Sequence, residues 1–278
     1  MIMKPTAMAE ESVLHARPGR MTAAAGPTLL GISLKLYFSH RETMDWCRQV
    51  AQLAREHPAV QRGSVSLFVL PSFPSLALAS KVFADSPVQL GAQDLHWEDR
   101  GPYTGEVSGL SLREVGCTYV EIGHAERRQL FEESDEIVRA KTVAGLRNGL
   151  TPVICVGEIQ RGSAESAAEA CLAQLASALV GSEERARSAR FVVAYEPVWA
   201  IGAEEPASTE HILGVCQRVR EWLAERGYGE GRVIYGGSAG PGLLTELGGG
   251  VNGLFLGRFA HRIEALADVI DEATQAMV

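Results

Sequence analysis

Three ionisable side chains stand at the ends of apolar runs in this sequence, and each suits a different part of proton chemistry on an anionic substrate. Glu196 follows Phe191-Val192-Val193-Ala194-Tyr195 and precedes Pro197-Val198-Trp199. Apolar surroundings disfavour an ionised carboxylate, raise its pKa and make it a better base. The alternative for Glu196 is a structural ion pair with an arginine. His124 lies in Ile122-Gly123-His124-Ala125-Glu126-Arg127-Arg128, between a strand end and a helix start. The positive end of the helix dipole there lowers the imidazole pKa and favours its neutral form. Its alternative is a hydrogen-bonded loop histidine. Lys35 stands in Gly31-Ile32-Ser33-Leu34-Lys35-Leu36. An unpaired ammonium is costly inside an apolar strand, so Lys35 either snorkels to water or faces an anionic ligand. Period-two alternation places Ser33 on its face, with Leu34 and Leu36 on the other.

Two glycine-rich turns complete the set, Tyr235-Gly236-Gly237-Ser238 and Leu256-Gly257-Arg258. Such turns leading into helices expose backbone N–H groups that suit a phosphate. A cation, an imidazole, a carboxylate and two anion-binding turns on one rim would suit enolisation next to the carbonyl of a phosphorylated substrate.

Bringing these residues together requires a particular scaffold. Eight β-rich runs are present, at Leu29–Leu36, Ser64–Leu70, Val88–Ala92, Thr118–Ile122, Leu150–Val156, Arg190–Tyr195, Arg232–Tyr235 and Gly253–Leu256. Helical stretches separate them, at Glu42–His57, Pro74–Ala84, Glu136–Asn148, Ser163–Val180 and Ser208–Arg226, with a last helix from about His261 to Met277. Strands alternating with helices predict βαβ units on a parallel sheet, and eight such units without a linker predict closure into a (β/α)₈ TIM barrel. The 278 residues fit one such domain, of roughly 250 residues, over 28–278. Chemistry in this architecture sits at the C-terminal strand ends, which is where the candidates fall. Residues 1–27 read as a disordered leader, with Met21 a second possible start.

A formal charge of −8 makes nucleic acid and anionic membranes poor partners, so any anion site must be built locally. The cysteines, Cys47, Cys117, Cys155, Cys171 and Cys216, are scattered and lack CxxC spacing. That argues against a zinc site or disulfide framework and for a reducing, cytoplasmic setting. No apolar run reaches the ~18 residues of a membrane span. The segment Gln93–Val107 is long for a βα loop. Its Trp97 and Tyr103 read as exposed aromatics awaiting a docking partner.

The runs Glu121-Ile122-Gly123-His124-Ala125-Glu126-Arg127-Arg128, Val153-Ile154-Cys155-Val156-Gly157-Glu158, Ala194-Tyr195-Glu196-Pro197-Val198-Trp199-Ala200-Ile201-Gly202 and Tyr235-Gly236-Gly237-Ser238 resemble triosephosphate isomerases. Gly91-Ala92-Gln93-Asp94 and Tyr103-Thr104-Gly105-Glu106 do so as well, and the likeness runs from about Leu30 to the C-terminus. The resemblance implies Glu196 as the base, neutral His124 as the electrophile and Lys35 as the cation stabilising the enediolate, oriented by Glu126. It implies a lid over Pro197–Ala207, and a phosphate held by amides of Gly202, Ser238, Gly257 and Arg258. It implies no metal or organic cofactor. It also implies a homodimer in which the Gln93–Val107 loop places Thr104 beside the partner's Lys35.

Departures from the family pattern are selective. The first strand carries Ser33-Leu34-Lys35 where Asn-Trp-Lys is usual, Ala125 replaces a serine, and Gly257-Arg258 replaces Gly-Gly. The lid reads Gly202-Ala203-Glu204-Glu205-Pro206 instead of Gly-Thr-Gly-Lys. Reacting groups are kept while the pocket and phosphate end change. The first expectation is interconversion of glyceraldehyde 3-phosphate and dihydroxyacetone phosphate. The second is isomerisation of a tetrulose phosphate such as an erythrulose phosphate, because a branch acting in erythritol breakdown shares Ser-x-Lys and Gly-Arg. A third is a barrel that binds a sugar phosphate without catalysis. A hydrolase reading rests on Gly236-Gly237-Ser238-Ala239-Gly240 as G-x-S-x-G, but no strand-borne acid follows Ser238 ahead of His261.

Overall fold

The computed structural model describes residues 26–275. Eight strands close into a parallel barrel in chain order: β1 (Thr28–Ser33), β2 (Val65–Leu70), β3 (Gln89–Ala92), β4 (Tyr119–Ile122), β5 (Thr151–Val156), β6 (Phe191–Tyr195), β7 (Gly231–Tyr235) and β8 (Gly253–Leu256). Because β1 pairs with both β2 and β8, the ring has no free edge. The reading of residues 1–27 as a leader falls, Gly26 and Pro27 apart, outside the described residues.

Alternation along the strands decides which side chains enter the barrel. Leu29, Phe68, Leu70, Tyr119, Val153, Cys155, Val192, Ala194, Ile234 and Phe255 form a core of their own inside the ring. Phe68 stacks on Tyr119 at 4.3 Å between centroids. The alternate residues, such as Leu30, Ile32, Val120, Ile122 and Ile154, pack outward under the helices. Stepping by two from the inner residues leads to Ser33 on β1, Glu121 on β4 and Glu196 just past β6, so the barrel mouth is polar by register.

The helices begin where short polar side chains can satisfy free N–H groups. The helix His40–Glu56 carries a capping box between Ser39 and Glu42. Ser134, Ser163 and Ser208 each accept a backbone N–H at the start of their helices. Each helix then lays an apolar stripe on the barrel, for instance Trp46, Cys47, Val50 and Ala54.

Two expectations need correction. The first strand stops at Ser33 instead of continuing to Leu36. Leu34 is buried, Lys35 takes φ 47° and Leu36 is almost fully exposed. Lys35 therefore reaches the mouth through a left-handed backbone turn, not through strand alternation. The Gln93–Val107 loop is also less open than expected. His96 is buried between Trp97 and Tyr103, at 4.2 and 4.3 Å, and Trp97 packs against the core. Of the two aromatics only Tyr103 is exposed.

Candidate active site

A cleft of about 590 Å³ opens at the C-terminal mouth of the barrel, and Ser33, Lys35, His124, Glu196, Ser238 and Arg258 line it. Gly202, Gly257 and Glu126 also border it. The sequence candidates for base, electrophile, cation and phosphate binding, with Ser33 and Glu126, thus converge on one cavity.

Glu196 follows β6 on the inner phase and is 4% exposed. Two glycines make room for it. A Cβ at Gly157 would collide with the Glu196 carbonyl, and one at Gly236 would press on its carboxylate at 2.8 Å. Burial, followed by the charge of Glu121, pushes the Glu196 carboxyl well above the usual range. Its Oε2 has no hydrogen-bond partner and lies 3.4 Å from His124 Nε2.

His124 caps the short helix Ala125–Leu130, and the Glu126 backbone N–H donates to its Nδ1 at 3.1 Å. An Nδ1 that accepts is unprotonated, so the proton of the neutral ring sits on Nε2 and points into the cleft. The pKa is lowered to about 4, first by burial and then by the Lys35 charge. Burial thus adds to the helix N-terminus, whose Glu126 N–H faces Nδ1, in favouring the neutral ring.

Lys35 donates to Glu126 Oε1 at 2.6 Å. Burial works against its charge, yet the Glu126 bond and the fields of Glu126, Glu196 and Glu121 prevail and raise its pKa. Its unusual backbone is held by Gln93, whose Nε2 donates to the carbonyls of Lys35 at 3.0 Å and Leu70 at 2.9 Å.

On the opposite side lie the two turns. Arg258 opens a 3₁₀ turn, Arg258–His261, directly after β8. The turn after β7 differs from expectation: its next helix, Leu243–Leu247, starts several residues later. Ser238 takes φ 58°, and its hydroxyl donates to the Ala203 carbonyl at 2.7 Å. That bond commits Ser238 to the lid, which removes the support for a nucleophilic serine. Arg258 Nη2 reaches the Gly202 carbonyl at 3.4 Å, so the lid lies against both turns.

The segment 197–207, the lid that the resemblance implies, is anchored at each end. Trp199 Nε1 donates to Glu158 Oε1 at 2.7 Å, and the Ala207 N–H donates to Tyr235 Oη at 3.1 Å. Glu204 and Glu205 are both exposed, although Glu204 also borders the cleft.

Sequence reasoning missed three contributors. Glu158 and Gln93 lay within recognised motifs but had no assigned contact. Glu121 is the third. It is 3% exposed, accepts from Ser33 Oγ at 2.8 Å and lies 4.0 Å from His124 Nε2. Burial raises its pKa to about 7. Its signal was a lone acid in the apolar strand Tyr119-Val120-Glu121-Ile122, the same signal that marked Lys35.

Comparison with known proteins extends the likeness along the barrel. Residues 28–273 match the family model described as Triosephosphate isomerase. An L-erythrulose-1-phosphate isomerase of Pectobacterium atrosepticum is 56% identical over 88% of this chain and 95% of its own. A triosephosphate isomerase of Aquifex aeolicus is 36% identical over 87% and 98%. The crystal structure of triosephosphate isomerase from Bartonella henselae superposes with a TM-score of 0.74 at 28% identity, covering 89% of this chain and 99% of that one. Matched from Thr28 to Ala273 and over nearly the full length of these relatives, the chain belongs to the triosephosphate isomerase family and is an isomerase of the aldose–ketose type.

Proposed function

We propose that this isomerase acts on an erythrulose phosphate, with a triose phosphate as the lesser substrate. The observation that carries this reading is the 56% identity to a relative named L-erythrulose-1-phosphate isomerase, against 36% to the Aquifex triosephosphate isomerase. It reverses the ranking drawn from sequence alone, in which the triose came first. The departures agree in kind. Ser33 is shorter than the usual asparagine and leaves space beside Lys35 in the cleft that both residues line.

Erythrulose 1-phosphate is dihydroxyacetone phosphate with a hydroxymethyl group added at C3. Glu196 removes the C3 proton as a base whose buried carboxyl is raised. His124 Nε2–H donates to the C2 carbonyl oxygen and relays protons between the two oxygens. Lys35, fixed by Glu126, stabilises the negative enediolate and the phosphate. Returning the proton to C2 leaves the carbonyl on C3 and gives a second ketose, erythrulose 4-phosphate, by the same enediol chemistry that interconverts aldose and ketose in the triose pair, so oxidation at one carbon balances reduction at the other and no cofactor enters. Amides of Gly202, Ser238, Gly257 and Arg258 hold the phosphate, with the Arg258 guanidinium beside them. The lid excludes water, which otherwise favours loss of phosphate from the enediolate.

Side-by-side assays with erythrulose 1-phosphate and glyceraldehyde 3-phosphate test the substrate. The tetrulose is expected to give a kcat/KM at least about tenfold higher, within the ~10–200-fold range that one added group confers. An equal or higher triose value overturns the assignment. Glu196→Gln should slow proton exchange with solvent at the substrate carbon by at least about 10²-fold. Substrate binding without any exchange in the parent protein would favour the non-catalytic barrel instead.

A further inference from the structure

Glu121 is an expensive residue where it stands. It projects from the inner face of β4 into a ring filled by Leu70, Tyr119, Val153, Cys155 and Phe255. A carboxyl offers about four acceptor positions, yet its side-chain hydrogen bond is the one from Ser33 Oγ. Burying an acid with so little compensation is unfavourable, and such groups cluster where ligands are handled.

Its place in the ring says which part of a ligand it would meet. The two phosphate turns follow β7 and β8, and in an eight-stranded ring β4 stands across from β8. A substrate anchored by its phosphate at β7 and β8, with its reacting carbons between Glu196 and His124, extends its far end toward β4, where Ser33 Oγ, reaching inward from β1, meets Glu121. Ser33, from β1, lines the cleft there, and Glu121 backs it from β4, 88 residues away in sequence. Glu121 Oε1 also lies 4.0 Å from His124 Nε2, which places the pair next to the imidazole that handles the carbonyl.

We infer that Ser33 and Glu121 form a specificity-determining pair that hydrogen-bonds the terminal hydroxyl of the substrate's hydroxymethyl group, the group a triose phosphate lacks. This rests on the tetrulose reading above. Ser33 Oγ meets the hydroxyl, and the Glu121 carboxyl behind it supplies the acceptor that fixes the Ser33 rotamer and closes a short hydrogen-bond chain. With its own proton given to Glu121, the Ser33 oxygen is left free to accept the ligand's O–H.

The experiment measures kcat/KM for erythrulose 1-phosphate, glyceraldehyde 3-phosphate and 4-deoxy-erythrulose 1-phosphate in the parent protein and in Glu121→Leu, Glu121→Gln and Ser33→Ala. In the parent, removing the 4-hydroxyl should cost at least about tenfold, the loss expected for a ligand hydroxyl taken from a site built to bind it. In Glu121→Leu and Ser33→Ala the tetrulose-to-triose ratio of kcat/KM should fall at least about tenfold, and the 4-deoxy analogue should lose its disadvantage. The Gln variant keeps the carbonyl acceptor for Ser33 and covers the case in which the Leu variant does not fold. It should retain a ratio between those of the parent and Ser33→Ala. Equal losses on all three substrates would make Glu121 a structural residue and overturn the inference, as would a parent protein indifferent to the 4-hydroxyl. A parent that prefers the triose overturns the substrate reading itself, a different and separable result.

Discussion

Glu121 and His124 pull the pH dependence of stability in opposite directions. His124 is held near pKa 4, below its ordinary 6.5. Between those values the unfolded chain binds the extra proton, so acidification through that window lowers stability. Glu121 is raised from 4.5 to about 7. Between those values the folded chain holds the extra proton, so its contribution is present below about 4.5 and is lost as pH rises through 7. Glu121→Gln keeps the shape and the acceptor for Ser33 but removes this titration. It should melt at a higher temperature than the parent at pH 8, and the advantage should shrink toward pH 5. Scanning calorimetry giving the same difference at both pH values would contradict the buried, raised carboxyl.

Among the elements, the lid depends most on single bonds. Its N-terminal end is tied through Trp199 to Glu158, which also accepts from Tyr195 Oη at 3.2 Å. Its C-terminal end is tied through the Ala207 N–H to Tyr235 Oη. Tyr235 is buried at the end of β7, so the hydroxyl is a fixed anchor on the barrel. Tyr235→Phe removes one hydrogen bond, worth about 1 kcal/mol, from the C-terminal anchor of this segment and leaves the strand packing intact. Kinetics with a phosphate-release assay should show kcat falling several-fold and more inorganic phosphate lost per turnover. An unchanged phosphate yield would show that this anchor does not govern closure. The turn after β1 is fixed in a comparable way. Gln93 from the end of β3 clamps the Lys35 carbonyl, so the lysine is presented by two strands acting together.

For the molecule as a whole, the charge of −8 repels an anionic substrate at long range, so on the proposed function binding depends on the local field of Lys35, Arg258 and the turn amides. Among the described residues no helix is long and apolar enough to cross a membrane, and all five cysteines are buried and free. The Gln93–Val107 loop ends in exposed Tyr103 and Thr104, above a base braced by His96 stacking and by Arg147, which binds Asp99 at 3.0 Å. A braced loop with an exposed tip fits the homodimer implied by the family resemblance. Sedimentation at micromolar concentration should give the mass of two chains. Thr104→Arg, which adds bulk and charge at the tip, should shift the protein toward monomer and lower activity with it. A monomeric parent with full activity would exclude that role for the loop.

The sequence by itself determined the closed barrel, the positions of all eight strands to within a few residues, and Glu196, His124 and Lys35 as neighbours on one rim. It could do so because strand alternation, helix periodicity and the long motifs are local properties, readable within a few residues of one another. Tertiary structure alone decided the contacts made across the ring. Ser33 meets Glu121 because both point into a closed ring of fixed width from β1 and β4, strands that do not pair, a distance no local pattern encodes. Lys35 leaves its strand because Gln93 holds its carbonyl, and Trp97 turns inward because His96 and the core offer it partners. His124 is kept neutral chiefly by burial under the assembled mouth. In each case the deciding energy belongs to groups far apart in the chain, and it exists only once the barrel has closed.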